Sequence, residues 1–199
     1  METPDSVREY WFGSTLDDAA IAAERASFWW SKNPEVDDAI RRRFENYVIK
    51  AASGDLTDWT SNPQGRLSLI LLTDQFPRNI FRDSPEAFAF ESHALALCRD
   101  GLDTGCDLEL RPIERVFFYL PLEHSELLTN QEQSVSLFEK LVHAVGTNQK
   151  PPFEGYLDFA VRHRDIIKRF GRFPHRNKVL GRVSTPAELS FLEQSGSSF

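Results

Sequence analysis

The sequence predicts an all-α domain of eight or nine helices packed as antiparallel pairs. Three observations predict it. A side chain able to cap free backbone N–H groups precedes a proline five times, at Thr3-Pro4, Asn33-Pro34, Asn62-Pro63, Ser84-Pro85 and Thr185-Pro186. Proline at the first helical position, behind such a cap, marks a helix start. Gly13, Gly54, Gly101, Gly146 and Gly171 fall where helices would close. No segment alternates convincingly at period two, and no hairpin signal lies between apolar runs. The 199 residues read as a single all-helical domain, 1–199, without a linker or a low-complexity stretch.

A first helix runs from Pro4 to about Phe12, and a second covers 17–30, where Ala-rich sequence leads into Phe28, Trp29 and Trp30. In the third, Val36, Ile40, Phe44, Tyr47, Val48 and Ala51 recur at helical spacing with charges between them. Gly54 closes it before a polar turn. From Pro63 to about Phe76 the run LSLILL is apolar on nearly every side, as in a buried central helix, and Pro77 is its stop. Pro85 to Arg99 is a further helix, with Phe88, Leu95 and Cys98 toward the core. Arg111 to Leu120 is short and aromatic, and Pro121 ends it. Asn130 and Gln133 have the spacing of a capping box, ahead of an apolar face of Val135, Phe138, Leu141, Val142 and Val145. Pro152 to Phe170 is long, and its basic C-terminal half suits the helix dipole. Thr185 and Glu188 form another capping box and open a last helix to about Gln194. The tail SGSSF is expected to be loosely held.

The composition, 41% hydrophobic and 27% charged, is that of a globular chain, long enough to bury a core without staples. Cys98 and Cys106 are too few for a disulfide framework and form no Cys-x-x-Cys pair, as expected of reduced thiols in a cytoplasmic protein. The first residues, METPDSVREYWFG, lack the apolar core of a signal peptide. The longest apolar run, near Leu67 to Leu72, is far too short to span a bilayer.

Charge is distributed unevenly. Residues 162–182 hold eight Lys or Arg against one acid, Asp165, for a formal +7 in a chain of net −7, which leaves −14 for the rest. Such concentration points to an anion, either a ligand or the protein's own acidic face. The acidic balance argues against nucleic acid, whose affinity is built from net positive surface. Phe170 and Phe173 among the basic residues would suit stacked bases, but they fit better as core at a helix end.

Four stretches bear a family likeness: LLTDQFPRNIFR (71–82), ERVFFYLPLEHSE (114–126), HRDIIKRFGRFPHRN (163–177) and LGRVSTPAELSFL (180–192). In this order and spacing, with YWFG near the start and the Trp29-Trp30 pair, the chain resembles the bacterial domain-of-unknown-function 924 family over nearly its whole length. Thr73 stands where an aliphatic residue would be expected. The resemblance implies an all-helical, tetratricopeptide-like right-handed superhelix. It implies no established activity, substrate or cofactor, and it carries over no catalytic residue.

Two segments echo each other: Gln75-Phe76-Pro77-Arg78-Asn79 and Arg172-Phe173-Pro174-His175-Arg176-Asn177. In each, the aromatic-Pro pair should break a helix and turn Arg and Asn outward, where Arg can clamp phosphate or carboxylate. A second polar set is Glu114, Arg115, Tyr119, His124 and Glu126, in which Arg115 and Tyr119 share a helix face. A His beside carboxylates can move a proton. The five histidines show no metal-binding spacing, and there is no phosphate loop, dinucleotide fingerprint or GxSxG elbow, so neither metal nor cofactor is expected.

The expectation is a pocket for a small anionic ligand, phosphate- or carboxylate-bearing. It would be built from Arg78, Asn79, Arg115, His163, Arg164, Arg172, His175, Arg176 and Asn177, with His124, His175 and Glu126 as proton-transfer candidates. The alternative is an interaction scaffold for an acidic peptide. In that case the basic segment would otherwise be tied into an internal network with Glu114, Glu123 and Glu126. The oligomeric state is left open.

Overall fold

The computed structural model describes residues 1–197. The elements run α1 (Pro4–Phe12), α2 (Asp18–Trp30), α3 (Pro34–Ser53), α4 (Pro63–Ile70), a π-helical segment (Leu71–Gln75), α5 (Phe76–Ile80), α6 (Glu91–Thr104), α7 (Pro112–Glu123), α8 (Leu128–Ala144), α9 (Lys150–Phe170) and α10 (Pro186–Leu192). Single 3-10 turns at Thr57–Ser61, Pro85–Phe88, Cys106–Glu109 and Pro174–Arg176 join them. Because α4, the π segment and α5 are one continuous rod, the described residues form nine helices and no strand.

All five cap-Pro pairs begin helical elements. Thr3, Asn33, Asn62, Ser84 and Thr185 each accept a backbone N–H, and Thr185 with Glu188 completes a capping box. Gly54 and Gly171 close α3 and α9 in the left-handed region. The α4–α5 rod lies at the centre, with Leu67, Leu69, Ile70, Leu71, Leu72 and Phe76 all buried. Nearly every residue of α7 is buried beside it. Trp11, Phe44, Phe76 and Phe117 form a tilted and edge-to-face aromatic core between α1, α3, α5 and α7.

Local boundary signals, three stops and one start, were overridden at four places. Pro77 does not end its helix. The π turn just before it lets the Phe76 N–H reach back to Leu71 O, and the wider turn accommodates the proline ring. Pro121 lies inside α7, which gains another turn and closes with the His124 N–H on Leu120 O at 2.8 Å. The 85–99 segment divides into a 3-10 turn and α6, and α6 continues through Gly101 to Thr104. Gly101 is there because a Cβ would lie 2.5 Å from Phe118 Cζ, so the position needs a missing side chain and not a turn. Finally, α8 starts at Leu128. Asn130 is buried within its first turn, where it accepts from Arg99 and donates to Ser125 Oγ at 2.7 Å.

Sequential packing holds for α6 on α7, α7 on α8 and α8 on α9. In the N-terminal half it gives way to long-range partners: α1 rests on α4, α2 on α7 and α9, and α3 on α5. After Gly171 the chain crosses the end of α9 and packs Phe173 against Ile166 and Ile167, with Phe170 and Phe191 alongside, as a second small core. Trp30 is only half-buried, its ring stacked on Phe117. In the tail, Ser197 Oγ donates to Leu192 O at 3.1 Å, while Ser198 and Phe199 lie outside the described residues. Among the described residues no helix is long and apolar enough to cross a membrane.

Candidate functional site

Polar side chains converge where the π segment, the end of α7, the start of α6, α9 and the 171–182 segment meet. The turn that accommodates Pro77 also carries Asp74, which is fully buried. Asp74 Oδ1 is 2.8 Å from His124 Nδ1 and 3.6 Å from an Arg78 nitrogen. The Gln75 amide donates to Asp74 Oδ2 at 2.6 Å. With Nδ1 engaged by Asp74, His124 presents Nε2 away from that carboxylate.

Glu123 precedes His124 and faces α9, where His163 Nδ1 lies 3.1 Å from Glu123 Oε1 and 2.8 Å from Phe159 O. A carbonyl can only accept, so His163 carries its proton on Nδ1. The His124 and His163 rings are 6.5 Å apart. Phe173 is packed edge-on to His163 at 5.4 Å, with His175 at 5.6 Å.

Arg176 is the most enclosed cation of the cluster, at 4% exposure. Its guanidinium lies over Phe173 at 4.4 Å and over Phe88 at 4.9 Å, and Arg78 packs on that same Phe88 ring. Both guanidiniums bond Glu91, the first residue of α6: Arg78 through Nη2, and Arg176 through Nη1 at 3.2 Å. The two Phe-Pro segments that echo in the sequence therefore meet on a carboxylate of the same chain, although the first is unbroken helix and only the second is a turn. Arg78 Nε and Arg176 Nε are buried and have no hydrogen-bond partner.

Burial governs the proton affinities. It pushes Glu123 up to about 8, with repulsion from Asp74 in the same direction, so this carboxyl is mostly protonated at neutrality. It pulls His163 down to about 3 and His175 to about 4, and it lowers His124, with Arg78 adding to the effect. Burial would raise Asp74, but His124 and Arg78 outweigh it and hold the carboxyl well below the usual range. Arg176 falls to about 10 through burial. Burial would likewise raise Glu126, and Arg182 and the Phe173 N–H overcome it.

Beside the cluster opens a cleft of about 250 Å³ lined by Glu91, Ser92, Leu95, Pro121, Ser125, Glu126, Arg176 and Leu180. A larger, shallow depression of about 500 Å³ follows the outer face of α8 at Ser136, Glu139, Lys140, His143 and Ala144, and it shares no residue with the cluster. Among the described residues no group of three or more His, Cys, Asp or Glu is arranged to hold a metal ion.

Of the residues singled out in the sequence, Arg78, His124, Glu126, His163, His175 and Arg176 come together. The others lie elsewhere. Asn79 turns to Asp37 of α3, which Arg82 also holds. Arg115 bonds the Tyr119 hydroxyl at 2.9 Å, as their spacing predicts, and Tyr119 donates to Asp107. Arg164 pairs with its neighbour Asp165 at the surface. Arg172 grips Glu188 and Val183 O, and Asn177 bonds Ser184 and Arg182. Glu126 receives Arg182 at 2.7 Å and the Phe173 N–H at 2.8 Å. Glu114 is held by Arg8 of α1, not by the basic segment.

Sequence reasoning missed Asp74, Glu91 and Arg182. Asp74 carried a signal: it is an acid inside a helix read as apolar on nearly every side. Glu91 carried none, because a carboxylate in the first turn of a helix is ordinary.

These features define an all-α protein whose conspicuous site is a charge-balanced His, Arg and carboxylate cluster sealed at one end of a central helical rod. The model of a family described as bacterial protein of unknown function (DUF924) matches residues 7–196, and the chain belongs to that family. It is also similar to a solved structure, the protein of unknown function ATU0120 from Agrobacterium tumefaciens. The two are 36% identical with a TM-score of 0.75, over 89% of this chain and 99% of that one. No curated protein matches the chain.

Proposed function

We propose that this protein binds a small phosphate- or carboxylate-bearing ligand in the cleft beside Arg176. The observation that supports the reading is Arg176 itself. It is buried and stacked between two aromatic rings, lines an open cleft, and keeps Nε without a partner. An unmet buried donor costs about 1–3 kcal/mol, so a small adjustment of the guanidinium onto a bound acceptor would be favourable. Ser92 and Ser125 supply hydroxyls, and Leu95, Pro121 and Leu180 supply an apolar wall. Of the proton-transfer candidates Glu126 lines the cleft, while His124 and His175 belong to the cluster behind it and are not among its lining residues.

The scaffold reading has less support. It joins a tetratricopeptide-like right-handed superhelix to an acidic peptide. Arg162, Arg164, Arg172 and Arg182 of the basic stretch are paired with carboxylates of this chain, as the internal network in that reading would have them, which leaves them less available to an acidic peptide.

The test is a thermal-shift and calorimetric series with orthophosphate, short phosphate monoesters and small carboxylates, on the wild-type chain and on Arg176→Ala. A ligand at a hundred times its Kd stabilises the native state by about 2.7 kcal/mol. The expected result is a shift with one ligand class that Arg176→Ala loses. No shift with any compound, together with a variant that only melts earlier, would refute it.

A further inference from the structure

We infer that the ligand of the Arg176 cleft is zwitterionic, an ammonium-bearing acid of amino-acid or aminoalkyl-phosphate type. This deepens the anion-site reading and rests on it. The cleft that presents Arg176 is also walled by two carboxylates, Glu91 and Glu126, and by the hydroxyls of Ser92 and Ser125. An ammonium has three donors and no acceptor, and Glu91, Glu126 and Ser92 can accept from it, whereas Ser125 Oγ already accepts from the Leu127 N–H and the Asn130 amide. A site built for an anion alone would not line the same small space with two carboxylates.

Charge counting leads to the same conclusion. Arg78, Arg176 and Arg182 are matched by Asp74, Glu91 and Glu126, each through a contact described above. Glu123 is largely protonated and the three histidines are largely neutral at pH 7. The site is balanced before any ligand arrives. A bare anion would leave net negative charge where the dielectric is low, whereas a zwitterion keeps the balance.

Glu91 is the residue that can exchange partners. Its side chain is 26% exposed, close to Arg78 at 23% and far above Arg176 at 4%, so Glu91 can swing away while Arg176 stays in place. An incoming carboxylate or phosphate takes the place of the Glu91 carboxylate on Arg176 Nη1, and the displaced Glu91 carboxylate then receives the ligand's ammonium. The cleft of about 250 Å³ has room for about eight water-sized groups at roughly 30 Å³ each, the scale of a small amino acid or its phosphate analogue.

The experiment compares matched pairs by titration calorimetry: glutamate against glutarate, and phosphoethanolamine against ethyl phosphate. In the wild-type chain the amine-bearing member should bind at least about tenfold tighter than its partner. Glu91→Gln, which keeps size and removes charge, should shrink that ratio several-fold, and Arg176→Ala should abolish both members. Equal or tighter binding of the amine-free member overturns the zwitterion inference and leaves the anion site standing. Absence of binding by every member overturns both. The decisive ratio is read on the wild-type chain, so it does not depend on any variant folding.

Discussion

Replacing Glu123 with glutamine should remove a loss of stability that the wild-type chain shows above about pH 7. Burial and Asp74 raise this carboxyl from 4.5 in the unfolded chain to about 8 in the fold. Its protonated form is favoured by the fold, so its contribution is complete below 4.5 and is lost as the pH climbs through about 8. Three histidines work with the opposite sign below pH 6.5. His163 at about 3, His175 at about 4 and the lowered His124 stay neutral in the fold while their unfolded forms take up protons, so their contribution is full above about 7.5 and lost as the pH falls. The histidines cease to differ between the two states only above about pH 7.5, so the Glu123 share is isolated by subtracting the variant curve from the wild-type curve. Glu123 alone costs about 1.6 kcal/mol between pH 6.5 and 8 and the histidines return about 1 kcal/mol of it, so the wild-type chain loses about 0.5 kcal/mol net, while the difference between wild type and Glu123→Gln changes by about 1.6 kcal/mol. Urea unfolding at half-unit pH steps measures this, with stability taken from the midpoint at constant m. The wild-type curve should peak near about pH 7 and fall on the alkaline side, and Glu123→Gln should rise slightly to about pH 7.5 and be level beyond it. A level wild-type limb, or the same slope in the variant, would refute the assignment of a neutral buried Glu123.

Three further outcomes follow from the packing. Phe173→Ala removes a fully buried ring that supports Arg176 and His163 and should cost about 3–5 kcal/mol in chemical denaturation. Gly101→Ala places a Cβ 2.5 Å from Phe118 Cζ and 2.7 Å from Arg66 Cδ, and should destabilise by about 1–3 kcal/mol. Arg182→Ala unties Glu126, Phe173 O and Asn177 together. Amide hydrogen exchange should rise across 172–185 and stay unchanged in α1 and α4.

The helix starts were legible because a cap and a proline act on their own four or five residues, and nothing distant competes with them. All five pairs hold. The stops were less legible. Pro77 and Pro121 read as breakers by their local chemistry, but both lie in helices whose burial on every side outweighs a lost hydrogen bond. Gly101 read as a helix end, yet what required it was the Phe118 ring, a residue of another helix. The candidate site divides in the same way. Charge concentration and the repeated Phe-Pro turns pointed to Arg78 and Arg176, and these two do meet. Asn79 and Asn177, at matching places in the same turns, are drawn to Asp37 and Ser184 instead.

By itself the sequence determined the helical class, most helix starts, the family and the presence of a basic segment facing an acidic remainder. These are properties of composition, of short-range hydrogen bonding and of matched stretches, and each can be read without knowing what lies across the core. Only the tertiary structure decided which acid each base meets. It placed Asp74 under His124, set Glu91 between two arginines that lie 98 positions apart in the numbering, and left Arg176 partly unsatisfied at a cleft. The reason is physical: charge pairing and desolvation depend on distance and burial in three dimensions, and neither is encoded by spacing along the chain.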